Sequence, residues 1–332
     1  MSTAGPPQGA RTAGEAEGTP ANPIRQVAVV GTGVIGASWA ACFLARGLDV
    51  AATDPAEGAE QRLRAAVARH WPALQAMGLA DGAAPERLRF HARLEDAVAG
   101  ADFVQENGPE RVDLKTALYA RMDAAAPAQA LLASSSSGLA VSAMQSACAH
   151  PQRVVLGHPF NPPHLIPLVE VGGGEKTAPE AIARAMGFYR AIGKKPIQVR
   201  REIQGHIANR LQAALWREAF HLVDQGVASV ADIDTAIAHG PGLRWALLGP
   251  FLNLHLSGGD GGMAHLLEHL GGPIESWWQD LGAPTMHAEL KAKVVDGVDA
   301  ALAGRSAAEL QRARDQLLLG LMAAKADHPQ LD

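Results

Sequence analysis

"VAVVGTGVIGASWAACFLARGLDVAATDP", residues 27–55, is the stretch on which the fold turns. It opens with a β-branched run and meets glycines spaced as Gly31-Thr32-Gly33-Val34-Ile35-Gly36. A helix-compatible segment follows, then a second apolar run ending in Asp54. GxGxxG spacing alone arises often in glycine-rich sequence, and such glycines could serve only to let a helix sit close on a strand. The complete order of strand, turn, helix, strand and acid favours a dinucleotide site. Gly31 then permits the tight turn, Gly33 lets the backbone approach a pyrophosphate, and Gly36 lets helix and strand pack. The N–H groups of the first helical turn, at Val34 and Ile35, supply positive charge to the anion. Asp54 lies 18 residues past Gly36. A carboxylate there accepts hydrogen bonds from ribose hydroxyls and repels a 2′-phosphate, and no Arg follows it directly, so the pattern selects NAD over NADP.

Outward from this stretch, apolar runs alternate with helical segments from Gln26 to about Arg200: QVAVVG, DVAATD, LRFHA, DFVQEN, ALLASS, RVVLGH, LVEV and PIQVR. That alternation predicts an α/β domain over residues 24–201, a Rossmann-type, mostly parallel sheet covered by helices. From about Glu202 the strands stop. Ile203, Ile207, Leu211, Leu215 and Leu222 recur at helical spacing, and the run ends before Gly226. Ser229 with Asp232, and Ser306 with Glu309, have the spacing of capping boxes that open two further helices. Residues 202–325 are therefore expected to form an all-helical C-terminal domain. The helix from Ile203 to Leu222, apolar over a broad face and carrying Trp216, could pack on its own core or on a partner subunit.

The chain has 332 residues, 48% of them apolar and 19% charged, which suits two soluble globular domains. Asp and Glu outnumber Lys and Arg, 34 to 29, and no basic block stands out, which argues against a nucleic-acid partner. Cys42 and Cys148 lack CxxC spacing and read as reduced, structural thiols. The 13 His include no HExxH and no tight His/Asp cluster, so no metal is expected. The first 23 residues, rich in Gly, Pro, Ala and polar side chains, lack the apolar core of a secretory signal and are expected to be disordered. No eighteen-residue apolar run predicts a membrane span, so a cytoplasmic protein is the default reading.

A Rossmann domain could serve a dehydrogenase, an epimerase or a redox sensor, so the chemistry must come from the later strand ends. LLASSSSGL (131–139) places four serines after one apolar run, and VVLGHPFNPPHLIPLVEV (154–171) places His158, Asn161 and Glu170 around two expected strands. Ligands on such sheets sit outside the carboxyl ends of the strands. Serines 134–137 could equally cap a helix starting near Leu139, and Asn209 could be a polar residue on a helix surface. With 13 His and 34 acids in the chain, one His and one Glu twelve residues apart carry little by themselves.

Taken together, GTGVIG, the serine run before GL, GHPFNPP, PLVEV and GHIANRL resemble the 3-hydroxyacyl-CoA dehydrogenase superfamily, over nearly everything from Ile24 to Lys325. GPGLRWALLGPFLNLHL (240–256) is more similar to the branch containing L-gulonate 3-dehydrogenase (lambda-crystallin) and carnitine dehydrogenase. The resemblance implies NAD-dependent oxidation of an L-3-hydroxy acid to the 3-keto acid, in a homodimer joined through the helical domain. It casts His158 as general base, Glu170 as its partner, and Ser137 and Asn209 as groups at the reacting oxygen, with Asn161 beside the substrate. These roles suit the chemistry: imidazole titrates near working pH, a carboxylate holds its tautomer, and hydroxyl and amide groups fix the alcohol's position. Glu106, Glu110 and Lys115 match positions near the nicotinamide end, although acids and Pro109 at a helix start also complement its dipole.

Two departures bear on the substrate. The acyl-CoA enzymes are expected to carry an Asn-Thr-Ser-Ser run where this chain has four serines and a glycine, and no Arg before GPF where it has Arg244. A guanidinium binds a carboxylate bidentately, which a free acid presents and a thioester does not. A small acid of the L-gulonate, 3-hydroxybutyrate or carnitine type is therefore favoured, although Arg244 could instead form an interdomain salt bridge. Trp216, Trp245, Trp277 and Trp278 read as core or interface aromatics, or as walls for a trimethylammonium group. Two alternatives remain open: a short-chain 3-hydroxyacyl-CoA dehydrogenase of fatty-acid or butanoate metabolism, and a crystallin-like NADH binder without turnover.

Overall fold

The structure, a computed structural model, describes residues 23–331. The expected disordered segment falls, apart from Pro23, outside those residues. Each of the eight apolar runs forms a strand: β1 (Gln26–Val30), β2 (Asp49–Thr53), β3 (Leu88–Phe90), β4 (Phe103–Glu106), β5 (Leu131–Ser134), β6 (Val154–Pro159), β7 (Leu168–Gly173) and β8 (Lys195–Val199). They make one sheet in the order β3-β2-β1-β4-β5-β6-β7-β8, and only the β6–β7 pairing is antiparallel. Six helices flank it: α1 (Val34–Ala45), α2 (Ala59–Ala76), α3 (Leu94–Val98), α4 (Val112–Ala125), α5 (Val141–Met144) and α6 (Pro179–Ala191).

The central strands read as continuous apolar runs because both faces are covered. Val27 and Val29 of β1 point into a core shared with α1, α2 and α6, where Phe103 packs on Phe188 with ring centroids 4.4 Å apart. Ala28 and Val30 point the other way, against α3, α4 and α5. The strand order reverses between β1 and β4, which opens the crevice where such sheets take their ligands. Gly31, Asn107 and the serine turn stand at that edge.

The remaining helices are α7 (Ala208–Asp224), α8 (Val230–His239), α9 (Pro241–Trp245), α10 (Pro250–Ser257), α11 (Gly262–Asp280), α12 (Ala288–Leu302) and α13 (Ala307–Ala326). The capping boxes at Ser229/Asp232 and Ser306/Glu309 are both formed. The helix expected from Ile203 begins only at Ala208, because residues 204–207 form a turn tied to the sheet by hydrogen bonds. The packing is open: α7, α8, α9, α10 and α13 bury no residue fully, and Leu211, Trp216, Phe251, Trp277 and Trp278 are exposed. Among the described residues no helix is long and apolar enough to cross a membrane.

Candidate active site

The glycine turn has the geometry a dinucleotide needs. Gly31 adopts φ +84°, a left-handed conformation, and a Cβ there would stand 2.8 Å from the Asn107 backbone. At Gly36 a Cβ would fall 1.9 Å from the Gly31 carbonyl oxygen, so helix α1 can meet the turn only without a side chain. A Cβ on Gly33 would meet nothing within 4 Å, leaving the backbone open to an approaching phosphate. Val34 and Ile35 begin α1 just beyond it, where a helix leaves N–H groups without intrahelical partners. Asp54 follows β2, with Oδ2 accepting from the Thr32 N–H at 2.7 Å and Oδ1 from the Ala56 N–H at 2.9 Å. Oδ2 also accepts from the Thr32 hydroxyl at 3.2 Å, and since a carboxylate has about four lone-pair sites, acceptor capacity remains for a ribose hydroxyl. The residues of this turn fit a dinucleotide: the backbone at Gly33 and the start of α1 are open to an anion, and Asp54 stands at the end of the next strand.

His158 and Glu170 stand directly opposite each other in the antiparallel β6–β7 pair. Their twelve-residue separation is thus the register of a hairpin. Both are buried, and His158 Nδ1 lies 2.8 Å from Glu170 Oε2. Burial pushes the Glu170 carboxyl upward, but hydrogen bonds from His158 and from the Ala208 and Ile207 N–H groups outweigh it and hold it below the usual carboxylate range. Glu170 is therefore ionised and can only accept, so Nδ1 of His158 is the donor and Nε2 is the ring nitrogen left outside the pair. That nitrogen has no hydrogen-bond partner among the described residues, which leaves it able to take a proton.

The same carboxylate shapes the start of the helical segment. Glu170 Oε1 accepts from Ile207 N at 2.8 Å and Ala208 N at 2.9 Å, satisfying N–H groups at the beginning of α7. Asn209 occupies the next position, half-buried, its amide making no hydrogen bond among the described residues. One acid thus orients the imidazole and sets where Asn209 lies.

The four serines divide in use. Ser134 Oγ donates to Glu106, Ser135 Oγ to Asn107, and Ser136 Oγ to Glu110 at 2.6 Å. Ser136 Oγ also accepts from the Leu139 N–H, a local turn rather than a helix cap, since α5 begins at Val141. Ser137, alone of the four, is exposed and its hydroxyl is unengaged among the described residues, while its N–H donates to Glu110 Oε1.

Glu110 organises this turn, its Oε1 also accepting from the Gly138 N–H at 2.9 Å. Lys115, which matches a position near the nicotinamide end, is engaged within the protein. It is buried beneath the turn, and its ammonium donates to both oxygens of Glu106 and to the Gly108 carbonyl, which uses all three protons. Asn161 is exposed in the β6–β7 connection. That loop is held to α1 by His164, whose Nδ1 lies 2.8 Å from Ser38 Oγ.

Arg244 is exposed on α9, and no ion pair or side-chain hydrogen bond engages its guanidinium among the described residues. Among the described residues the interdomain salt bridge considered from sequence is therefore not formed, and the hydrogen bonds that gather His158, Glu170 and the serine turn do not extend to Arg244. His265, Glu268 and His269 stand close on one exposed turn of α11, a His/Glu grouping that is neither HExxH nor the His/Asp cluster considered from sequence.

Sequence reasoning missed Gln105 and His206. Gln105 is fully buried, donates to Ser135 Oγ and the Gly157 carbonyl, and accepts from the Tyr189 hydroxyl at 2.6 Å, locking three neighbouring strands together. His206 Nε2 lies 3.0 Å from the Ser136 carbonyl, and its ring centroid is 5.2 Å from that of His158. No periodicity could reveal either, because each partner lies on a distant segment.

Comparison with known proteins converges on one family. Residues 26–203 match the family described as 3-hydroxyacyl-CoA dehydrogenase, NAD binding domain, and residues 205–293 match the C-terminal domain of the same name. The chain is 52% identical over 324 residues to L-carnitine dehydrogenase of Streptomyces griseus subsp. griseus, covering 98% of this chain and 97% of the relative. Identity to L-carnitine dehydrogenase of Bacillus cereus is 50% over 301 residues, covering 91% and 92%. Among solved structures, the 5-formyl-3-hydroxy-2-methylpyridine 4-carboxylic acid 5-dehydrogenase, described as an NAD+-dependent dismutase, superposes with a TM-score of 0.78 at 32% identity. That likeness covers 90% of this chain and 98% of the other.

Proposed function

The chain belongs to the 3-hydroxyacyl-CoA dehydrogenase family and is an NAD-dependent oxidoreductase acting on CH–OH groups; on that premise we propose that its substrate is L-carnitine or a closely similar free 3-hydroxy acid. The observation that carries this reading is the buried cross-strand pair of His158 and Glu170, with the free Ser137 hydroxyl and Asn209 amide on neighbouring elements. The names of the relatives from Streptomyces griseus and Bacillus cereus support carnitine over a thioester.

In this reading the Gly31–Gly36 turn and Asp54 would hold NAD, which would supply an acceptor for the hydride of the carbinol carbon. His158 Nε2 removes the hydroxyl proton, and Nδ1 keeps its own proton because Glu170 accepts from it. Imidazolium forms beside an ionised carboxylate, so the charge is paired as it appears. Ser137 Oγ and Asn209 Nδ2 donate to the substrate oxygen and hold the alcohol in line. Arg244, whose guanidinium is unpaired among the described residues, is the receptor for the substrate carboxylate.

The test compares L-carnitine, other free 3-hydroxy acids and 3-hydroxybutyryl-CoA as substrates by NADH absorbance, with wild type and Arg244→Ala. Free-acid turnover that the substitution weakens by roughly 10- to 100-fold in kcat/KM is expected, the range for losing a charge-assisted bidentate contact. Turnover of the thioester alone, indifferent to Arg244, would overturn the free-acid reading, and NADH binding with no turnover of any substrate would overturn the enzymatic one.

The helical segment is also read as a homodimer interface, because its exposed apolar faces are too extensive to stay in water. Sedimentation should give twice the chain mass, and a monomer at micromolar concentration would refute this. A cytoplasmic setting is supported by the two free cysteines, Cys42 buried and Cys148 half-buried.

A further inference from the structure

His206 sits where two tethers meet. It adopts φ +48°, a left-handed backbone that residues with side chains seldom take, and it is buried. On its chain-forward side the Ile207 and Ala208 N–H groups donate to Glu170. On its side-chain side Nε2 lies 3.0 Å from the Ser136 carbonyl oxygen, seventy residues away in sequence. A carbonyl only accepts, so Nε2 carries the proton and the ring can bind there as the neutral Nε2–H tautomer. The turned backbone makes both tethers compatible, aiming the following N–H groups at one strand and the imidazole at the next loop.

Each tethered partner leads to a group at the reacting oxygen. The Ser136 carbonyl belongs to the peptide joined to Ser137, whose N–H and whose neighbours Ser136 and Gly138 are gathered on Glu110. Glu170 leads to His158, and Ala208 precedes Asn209. The titratable groups around His206 are His158, Glu170 and Glu110, and burial pushes its pKa below the ordinary histidine value, with the Ser136 bond opposing and His158 adding to the fall. A neutral ring beside His158 adds no positive charge where the imidazolium forms.

We propose that His206 is a positioning residue of the dehydrogenase reaction: by donating from Nε2 to the Ser136 carbonyl it fixes the Ser137 hydroxyl relative to His158 and Asn209. This rests on the reading of His158 as base. His206 itself moves no proton.

His206→Phe keeps a ring of similar size but removes the donor, whereas His206→Gln retains an N–H at similar reach. With carnitine as substrate, kcat of the Phe variant should fall about tenfold while the NAD KM stays within about twofold, the effect of one misplaced hydrogen-bonded loop. The Gln variant should recover to within about threefold, and the acid limb of the kcat/KM profile should stay put in both. A Phe variant as active as wild type, a Gln variant as impaired as Phe, or a displaced acid limb would each overturn the proposal. The tautomer is measurable in the wild-type protein by the 15N shifts of the His206 ring, so the test survives if a variant fails to fold. A neutral Nε2–H ring is expected, and an Nδ1–H or cationic ring at neutral pH would overturn it. His158→Asn separates the two readings: if it stays active, the base assignment falls and takes this proposal with it. If it is inactive while His206→Phe is normal, only the present inference falls.

Discussion

Replacing Glu170 with Gln is the most informative single perturbation of this site, because one carboxylate answers three donors. Oε2 accepts from His158 Nδ1, and Oε1 from the Ile207 and Ala208 N–H groups. A Gln amide has one accepting oxygen and one donating nitrogen, so it cannot serve both sides. With its oxygen toward α7, its NH2 faces His158 Nδ1 and forces that nitrogen to accept. The proton then moves to Nε2, which can no longer act as a base. With its oxygen toward His158, two N–H groups at the start of α7 face an NH2 group in a buried setting, and Asn209 shifts with them. General-base catalysis contributes roughly 100- to 10,000-fold, and the wrong-tautomer route forfeits most of it, so kcat should fall by about that range. Charge-assisted hydrogen bonds contribute about 1.5–3 kcal/mol each, so losing or inverting one should lower unfolding free energy by roughly 2–4 kcal/mol. The pH dependence has a definite sign. The folded Glu170 carboxyl is held below its ordinary value, so its stabilisation is present above the unfolded pKa and fades as pH falls through the folded one. The variant should lack that acid-side fade. Steady-state NADH formation and urea unfolding between neutral and acid pH measure both effects. A variant with kcat within about threefold of wild type would refute the reasoning, since no orientation of a Gln amide preserves all three bonds.

The glycine turn and the loop beyond β6 each yield a further prediction. Gly36→Ala should lose stability and NAD binding together, because its Cβ would fall 1.9 Å from the Gly31 carbonyl oxygen, whereas Gly33→Ala, with nothing within 4 Å, should keep its melting temperature and lose NAD affinity alone. Calorimetric titration with NAD and thermal melts of both variants decide this, and a Gly33→Ala protein that binds NAD normally would remove the pyrophosphate from that position. His164 is buried against Ser38 and its ring lies 3.9 Å from that of His70; burial foremost, then His70 and Lys194, push its pKa down to about 3 from an ordinary 6.5. The unfolded chain therefore binds this proton first on acidification. Stability should decline below about pH 6.5, by about 2 kcal/mol near pH 5 from His164 alone. The lowered pKa of His70 acts in the same direction. Chemical denaturation across that range, with His164→Asn as the flattened control, would contradict this if wild type and variant ran parallel.

The β-strands were legible because a two-sided parallel sheet demands unbroken apolar runs between turn residues, and such runs are local. The glycine turn was legible for the same reason: its conformational needs fall within six residues, from Gly31 to Gly36. The opening of α7 was not. Apolar spacing placed it at Ile203, yet the helix waits until Ala208, because Glu170 takes the N–H groups of residues 207 and 208 and His206 turns toward Ser136. Periodicity reports which face of a helix is apolar, and it is silent about a cap supplied by a strand far back in the chain. Lys115 shows the converse limit, since its sequence position matches one near the nicotinamide end while its buried surroundings are invisible in the sequence.

The amino-acid order alone was enough for the sheet, the nucleotide turn and the helical character of the C-terminal segment, since each depends on residues within a few positions of one another. Which chemistry-bearing side chains meet was settled by folding. Antiparallel register put His158 against Glu170, the packing of β4 and α4 engaged three serines and left Ser137 free, and a left-handed residue brought His206 to the serine turn. Hydrogen bonds act over about 3 Å of space whatever the distance along the chain, so their partners are fixed only when the chain has folded.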